Sequence, residues 1–385
     1  MSTLIAIMLV ISSIYSGLIC LLVFGWKKLR VQELRKLPDE YPYVFVSVVI
    51  AARNEESNIV SCLSDLLNQD YARDYFEIVV TDDHSTDNTV LRVKELQQEH
   101  PCLKLVLLAE EEPNKSGKKA AINAGVNRAR GELILATDAD CRVKTHWVAS
   151  MASYYKEHKP QMISAPVVFK PQKNNFFQAF TELEFISLIA SGAAAIGINK
   201  PLMSNGANLA FQRETFLDLN VFESNSNWAS GDDMFLMHGI QKRFGAGSIH
   251  FLKSLSAVVE TYPPSSLREF VMQRIRWGSK TKAYPSSFNG FVAIIVFLNS
   301  LMLLLSTALA FFFPALLPFL IISWFLKITS DFLLLGEACS FLGRRKLLRW
   351  FAPFQIIHIF YITFIATLAL IKGYQWKERK YQSPV

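Results

Sequence analysis

The chain has 385 residues, half of them (51%) hydrophobic, and a formal net charge of +7. Its positive mean hydropathy argues against an ordinary soluble enzyme, and the length leaves room for one sizeable core plus membrane segments. The charge does not point to nucleic acid, because the basic residues bunch beside apolar spans: Lys27, Lys28, Arg30, Arg35 and Lys36 after the first, and Arg344, Arg345, Lys346 and Arg349 near the last. That is positive-inside patterning, with attraction to anionic headgroups as an addition.

Thr3 to Trp26 is apolar and long enough to span a bilayer, with no basic residue before it and a basic cluster directly after. It reads as an uncleaved anchor, residues 1–28, whose N-terminus lies outside. The domain that follows, residues 40–285, is then expected in the cytoplasm. Five cysteines, Cys20, Cys62, Cys102, Cys141 and Cys339, are scattered without metal spacing, and read as reduced thiols.

From Val44 to Thr137 short β-branched runs alternate with amphipathic stretches. Strands are expected at Val46 to Ala51, Phe76 to Thr81, Leu103 to Leu108 and Leu133 to Thr137. Helices are expected on the stripe Ile59, Val60, Leu63, Leu66 and Leu67, over Thr86 to Gln98, and over Lys118 to Arg130. Such alternation implies a mostly parallel sheet covered on both faces, with ligands beyond the carboxyl ends of the strands.

Each polar motif falls at such an end. The first strand runs into Ala51-Ala52-Arg53-Asn54-Glu55-Glu56 and the second into Asp82-Asp83-His84-Ser85-Thr86-Asp87. Ser85 or Asp87 suits a helix cap. Asp82 and Asp83 precede it, placed to accept hydrogen bonds from a base or ribose. Gly117, Lys118 and Lys119 open a helix, where lysines oppose the dipole and an anionic ligand would give them a reason. The fourth strand ends in Asp138-Ala139-Asp140. In an extended chain the two carboxylates face one way, and like charges that close call for a cation, a proton or a set of donors. Alone, the pair reads more readily as solvated aspartates in a turn.

Phe176 to Ile198 is a broadly apolar helical stretch, read as core or membrane interface, followed by Gly206-Ala207-Asn208-Leu209-Ala210-Phe211. Asp232 and Asp233 follow Gly231, where acids at a helix start are stabilised by the dipole. In Pro263-Pro264-Ser265-Ser266-Leu267-Arg268-Glu269, Ser266 and Glu269 have capping-box spacing. On that helix Leu267, Phe270, Val271 and Ile275 form an apolar stripe, with Gln273, Arg276 and Trp277 on another face. Phe291 to Phe313, Leu316 to Leu335 and Phe351 to Ile371 are each near spanning length and make up a membrane region, residues 288–373, ahead of a basic tail, residues 374–385. Lys327 and Asp331 in the middle segment are spaced to neutralise one another. Three crossings would leave Lys372, Lys377, Arg379 and Lys380 outside, against the positive-inside rule, so one segment is expected to be re-entrant or interfacial.

The ordered set VSVVIAARNEE, EIVVTDDHSTDNT, KSGKKAAINAG, ILATDADC, GANLAF, GDDMFL and QRIRW resembles family 2 glycosyltransferases, the inverting, nucleotide-sugar-dependent group that includes cellulose, chitin and hyaluronan synthases and ceramide glucosyltransferase. The resemblance runs from Val46 to Trp277. It implies an α/β, Rossmann-like GT-A domain with flanking transmembrane and interfacial helices. It also implies a UDP-sugar donor bound through Ala51, Glu55, Asp82, Asp83, Lys118 and Asp138, and Mg²⁺ or Mn²⁺ on Asp140 and Asp138. Asp233 would be the general base, with Asp232, Gln273, Arg276 and Trp277 on the acceptor and diphosphate side. After the tryptophan, Gly278-Ser279-Lys280 departs from the Ala-Arg-Gly-like continuation of many polymer synthases. The expectation is therefore an integral protein of the cell inner membrane with a cytoplasmic catalytic domain, transferring to a lipid or oligosaccharide. The alternatives are a processive polysaccharide synthase and a non-catalytic nucleotide-sugar-binding membrane subunit.

Overall fold

The computed structural model describes residues 2–33, 43–111, 116–170, 175–220, 231–279, 287–371, 374–376 and 379–381. Arg35, Lys36, Lys280, Lys372, Lys377 and residues 382–385 of the basic tail, all named above, lie outside the described residues. The chain divides into two compact units, Leu29–Lys170 with Met203–Tyr262, and Met1–Lys28 with Pro171–Leu202 and Pro263–Val385.

The first unit is built on a sheet. In chain order it holds β1 (Val46–Ala52), α2 (Ile59–Leu67), β2 (Phe76–Asp82), α3 (Thr89–Glu99), β3 (Leu103–Leu107), α4 (Leu108–Glu111), α5 (Lys118–Arg128), β4 (Leu133–Asp138), β5 (Arg142–Val143) and α6 (Trp147–His158). There follow β6 (Met162–Ser164), β7 (Val167–Phe169), β8 (Leu209–Gln212), α8 (Arg213–Leu219), α9 (Asp232–Phe244), β9 (Ile249–Phe251) and β10 (Val259–Thr261). The main sheet has the order β3-β2-β1-β4-β8-β6-β9, and β5-β10-β7 form a second. Strands β1 to β4 pair in parallel, while β8 inserts antiparallel between β4 and β6. All of β2 and nearly all of β1 is buried, as expected for central strands covered on both faces.

The helix ends differ from the pattern-based expectation for identifiable reasons. The helix expected from Thr86 starts at Thr89, because Asn54 Oδ1 accepts from the Thr86 amide at 2.8 Å and Asp87 Oδ1 from the Thr89 amide at 3.0 Å. The helix expected to reach Arg130 stops at Arg128. The Arg130 amide donates instead to buried Glu77 at 2.6 Å, and the Gly131 amide to Ser47 Oγ at 2.8 Å. Leu108, expected in a strand, opens α4, and Val60, counted in an apolar stripe, is exposed.

The second unit is helical: α1 (Ser2–Lys28), α7 (Phe176–Gly197), α10 (Leu267–Gly278), α11 (Ser287–Ala310), α12 (Leu317–Phe341) and α13 (Phe351–Ile371), with a terminal hairpin of β11 (Tyr374–Trp376) and β12 (Arg379–Tyr381). Among the described residues five of its helical stretches, α7 among them, are long and apolar enough to cross a membrane, though the apolar window of α7 is 72% buried. Helices α1 and α7 touch backbone to backbone. A Cβ on Gly25 would lie 2.1 Å from the Ala194 carbonyl oxygen, and one on Gly197 2.3 Å from that of Gly25, the close approach that small residues allow between apolar helices. Lys327 Nζ donates to Asp331 at 2.6 Å and to Gln355 at 2.5 Å, and Tyr15 donates to Asp331 at 2.7 Å. The expected neutralisation within α12 is thus part of a clasp joining α1, α12 and α13.

Candidate active site

The parallel register brings the polar motifs to one edge of the sheet. Ala51, at the end of β1, pairs with Thr81 on one side and Asp138 on the other, and Ala52 pairs with Asp82. The loops after β1 and β2 are sewn together by side chains. Thr89 Oγ1 accepts from the Glu55 amide at 2.8 Å, Asp87 Oδ2 from the Glu56 amide at 3.1 Å, and Ser85 Oγ from the Asn54 amide at 3.0 Å. Asn54 and His84 turn these loops with φ of 52° and 58°, values that Asn and His tolerate better than most residues.

Asp82 and Asp83 are both buried. Asp82 Oδ2 accepts from the Ser85 amide at 3.0 Å. Asp83 Oδ1 accepts from the Gly117 amide at 2.9 Å, with His84 Nδ1 at 3.1 Å, while Arg53 donates to the Asp83 carbonyl at 2.8 Å. Gly117 has φ +100°, which suits glycine at the cap of α5.

Lys118, the first residue of α5, places Nζ 2.5 Å from Asp138 Oδ1 and 3.7 Å from Asp232 Oδ2. Burial opposes its charge, but Asp138 and Asp232 more than reverse that and raise its pKa. The lysine that looked misplaced at a helix start therefore answers carboxylates from two other segments. For Lys119 burial wins over Asp232 and Asp233, lowering it to about 8, with its ammonium 4.1 Å from the Phe235 ring centroid.

Asp138 and Asp140 do converge, but not by strand alternation. The chain turns after β4, the Cys141 amide donating to the Asp138 carbonyl at 3.0 Å. Ligand atoms of Asp138, Asp140 and Cys141 then lie within 4.8 Å of one another. Burial, and after it Asp138 and Glu55, push Asp140 up to about 6. Two converging carboxylates, one of them short of positive charge, suit a hard divalent ion.

Asp232 and Asp233 begin α9 behind Gly231, whose φ is +93°. Asp233 Oδ2 accepts from the Gly206 amide at 3.1 Å, and Oδ1 from the Met234 amide at 2.8 Å. A Cβ on Gly206 would come within 3.2 Å of Asp232 Oδ2 and 3.4 Å of Lys118 Nζ. Gly206, Gly117, Arg53 and Cys141 carried no assigned part in the sequence reading. The partners of Gly206, Gly117 and Arg53 are about thirty residues away in the chain, while Cys141 simply closes the turn after Asp138; only the isolated glycines beside polar motifs gave a local hint.

Gln273, Arg276 and Trp277 lie on α10 in the helical unit. Ser266 caps α10 as expected, accepting from the Glu269 amide at 3.2 Å, but the Glu269 carboxylate turns to Ser265 instead, taking its amide at 2.8 Å. Of the expected apolar stripe, Phe270 and Ile275 are buried while Leu267 is exposed. The buried cation of this helix is Arg274, which the sequence spacing did not single out.

Residues 47–214 match the profile of glycosyl transferase family 2, and residues 133–370 that of glycosyl transferase family group 2. A dolichyl N-acetyl-alpha-D-glucosaminyl phosphate 3-beta-D-2,3-diacetamido-2,3-dideoxy-beta-D-glucuronosyltransferase of Methanococcus voltae is 23% identical, over 61% of this chain and 72% of its own. A beta-monoglucosyldiacylglycerol synthase of Nostoc is 27% identical over 44% of this chain, which spans only 40% of that relative. The mannosyltransferase PcManGT from Pyrobaculum calidifontis, solved with GDP-Man and Mn²⁺, has a TM-score of 0.55 at 21% identity, covering 96% of this chain and 99% of its own. That likeness shows the GT-A fold.

Proposed function

The chain belongs to glycosyl transferase family 2, and on that premise we propose that it is a membrane-bound inverting enzyme moving a sugar from a UDP-sugar to a lipid or oligosaccharide hydroxyl at the cytoplasmic face of the inner membrane. The observation that carries this reading is the shared ammonium. Lys118 ties Asp138, at the end of β4, to Asp232, at the start of α9, with Asp233 alongside. These carboxylates meet at the carboxyl edge of the sheet, where ligands of open parallel sheets bind, and this supports reading them as donor and acceptor groups.

Asp82 and Asp83 would read the nucleoside, while Ala51 and Glu55 would line its bed. Lys118 would hold the diphosphate. Asp138 and Asp140 would hold Mg²⁺ or Mn²⁺, which when bound offsets the charge that develops on the leaving diphosphate. Asp233, fixed by the Gly206 and Met234 amides, would take the acceptor proton as that oxygen attacks the anomeric carbon. The bond from that carbon to the phosphate oxygen breaks on the opposite face, and the configuration inverts. Gln273, Arg276 and Trp277 would serve the acceptor and the diphosphate. Support for a lipid acceptor comes from the Methanococcus relative, named for a dolichyl-linked sugar phosphate, and the Nostoc relative, named for a glucosyldiacylglycerol product.

The test incubates membranes carrying wild type, Asp140→Ala or Asp233→Asn with labelled UDP-sugars, and with GDP-mannose as a control, in Mn²⁺, Mg²⁺ or EDTA. Label is expected in a small, solvent-extractable product, abolished by EDTA and reduced roughly a thousandfold by Asp233→Asn, within the usual range for a general base. Label in a large, water-retained product would replace the reading with a polymer synthase. Nucleotide binding without turnover of any donor would replace it with a binding subunit.

A further inference from the structure

The helical unit contains a buried charge cluster for which the chemistry above has no use. Arg274 on α10 and Glu184 on α7 each expose only 3% of their side chains. Arg274 Nε donates to both Glu184 oxygens at 2.9 and 3.0 Å, and its Nη2 donates to Oε2. The Tyr361 hydroxyl, from α13, donates to Glu184 Oε1 at 2.8 Å. Stability alone gives little reason for such a cluster, since an apolar replacement of a buried ion pair is often neutral or better. Its geometry does have a directional consequence. Nη1 donates to Gln273 Oε1 at 2.5 Å, and the guanidinium carbon lies 4.3 Å from the Trp277 ring centroid and 4.7 Å from that of Phe270.

We propose that Arg274, clamped by Glu184 and Tyr361, is a positioning residue that fixes the Gln273 carboxamide and the Trp277 ring. This rests on reading those two side chains as acceptor contacts. A guanidinium can only donate, so it takes the carbonyl end of Gln273 and turns the NH₂ end away. Gln273 is thereby set as a donor, and the group it recognises is an oxygen with a free lone pair: a sugar hydroxyl, a ring oxygen or a phosphate oxygen. The flat cation beside Trp277 holds the indole in one rotamer by cation–π attraction.

Arg274→Lys is the discriminating variant. It keeps a positive charge against Glu184 but has neither a second arm for Gln273 nor a plane for Trp277. The acceptor probe is total lipid from the expressing membranes, graded by mole fraction in dodecylmaltoside micelles. Arg274→Lys is expected to raise the acceptor KM about tenfold, the scale of one lost hydrogen bond, with the donor KM unchanged. The double variant with Gln273→Ala should cost less than the sum of the two single variants, the excess over Gln273→Ala alone being the loosened Trp277. Additive costs, or a wild-type acceptor KM in Arg274→Lys while Gln273→Ala raises it, would overturn the proposal. A wild-type acceptor KM in both Gln273→Ala and Trp277→Ala would instead remove the acceptor reading on which it rests. Fluorine NMR of protein labelled with 5-fluorotryptophan, the Trp277 line assigned with Trp277→Phe, needs no acceptor. That line should move in Arg274→Lys, and an unmoved line overturns the proposal. If Arg274→Lys does not fold, Tyr361→Phe, which removes one hydrogen bond behind Glu184, should raise the acceptor KM about threefold, and no rise counts against the proposal.

Discussion

Lys118 illustrates how a single cation can hold together groups that the sequence keeps far apart. Its ammonium faces Asp138 and Asp232, so Lys118→Met leaves those carboxylates without their shared counter-ion. We expect a loss of at least tenfold in nucleotide-sugar affinity, as befits a charged hydrogen bond, measured by titration with UDP. Unchanged affinity would remove Lys118 from the donor site. Glu77 offers a stability test away from the chemistry. Burial would raise its pKa, but hydrogen bonds from Lys104, Ser47 and the Arg130 amide lower it below its ordinary 4.5. Below that value the unfolded chain binds this proton more readily than the folded one. Its stabilisation is therefore complete above pH 4.5 and drains away as the pH falls through the folded-state value. Glu77→Gln should lower the thermal midpoint near neutrality by an amount corresponding to about 2 kcal/mol, and the gap from wild type should close in acid. At this scale the sequence announced the acids but not their partners. Asp83, Asp138, Asp140 and Asp233 stand out beside strands and helix starts, whereas the pairing of Arg274 with Glu184 spans 90 residues and has no local sign.

At the scale of elements, the legible features were those set by local chemistry. The Ser266 cap, the four parallel strands and the spacing of Lys327 and Asp331 follow from hydrogen-bonding capacity and periodicity within a few residues. The breaks after Arg128 and before Thr89 were not legible, because Glu77, Ser47 and Asn54 take the amides in question from other segments. The seam between α1 and α7 is equally non-local, since Gly25 and Gly197 show themselves only when the two backbones meet. Either Gly25→Val or Gly197→Val drives a side chain into a carbonyl oxygen and should lower the thermal midpoint in detergent. Gly17→Val, where a Cβ meets nothing within 4 Å, should not. Equal midpoints for all three variants would show that the helices do not touch there.

For the whole molecule, connectivity constrains the membrane reading more than hydropathy does. Helix α7 has the length and composition of a crossing, yet residues 171–175 and 198–202 join both of its ends to the sheet-bearing unit. Such connectors reach under about 20 Å when fully extended, against roughly 30 Å of hydrocarbon. Connectors of that length leave no room for one end of α7 on the far face, so α7 is expected to begin and end on one face of the bilayer. The β11 backbone lies beside α10, and α10 follows the sheet unit directly at Pro263. The basic tail is then expected on the same side as α10, which relieves the charge conflict left by three C-terminal crossings. Among single-cysteine variants, an impermeant maleimide applied from outside should label Phe313→Cys and spare Gln375→Cys. Labelling of Gln375→Cys would make α13 a full crossing.

The clasp between Tyr15 and Asp331 also has a history written into it. Its two ends are 316 residues apart, and at roughly 5 to 20 residues per second of synthesis they are made roughly 15 to 60 seconds apart. During that interval the Tyr15 hydroxyl of α1 lacks the carboxylate it later pairs with. Lys327 and Asp331, one turn apart, are made together and enter already quenched by each other, so insertion of α12 needs no waiting partner. A ribosome that stalls before residue 331 thus leaves behind an α1 held by its seam with α7 but without the clasp to α12.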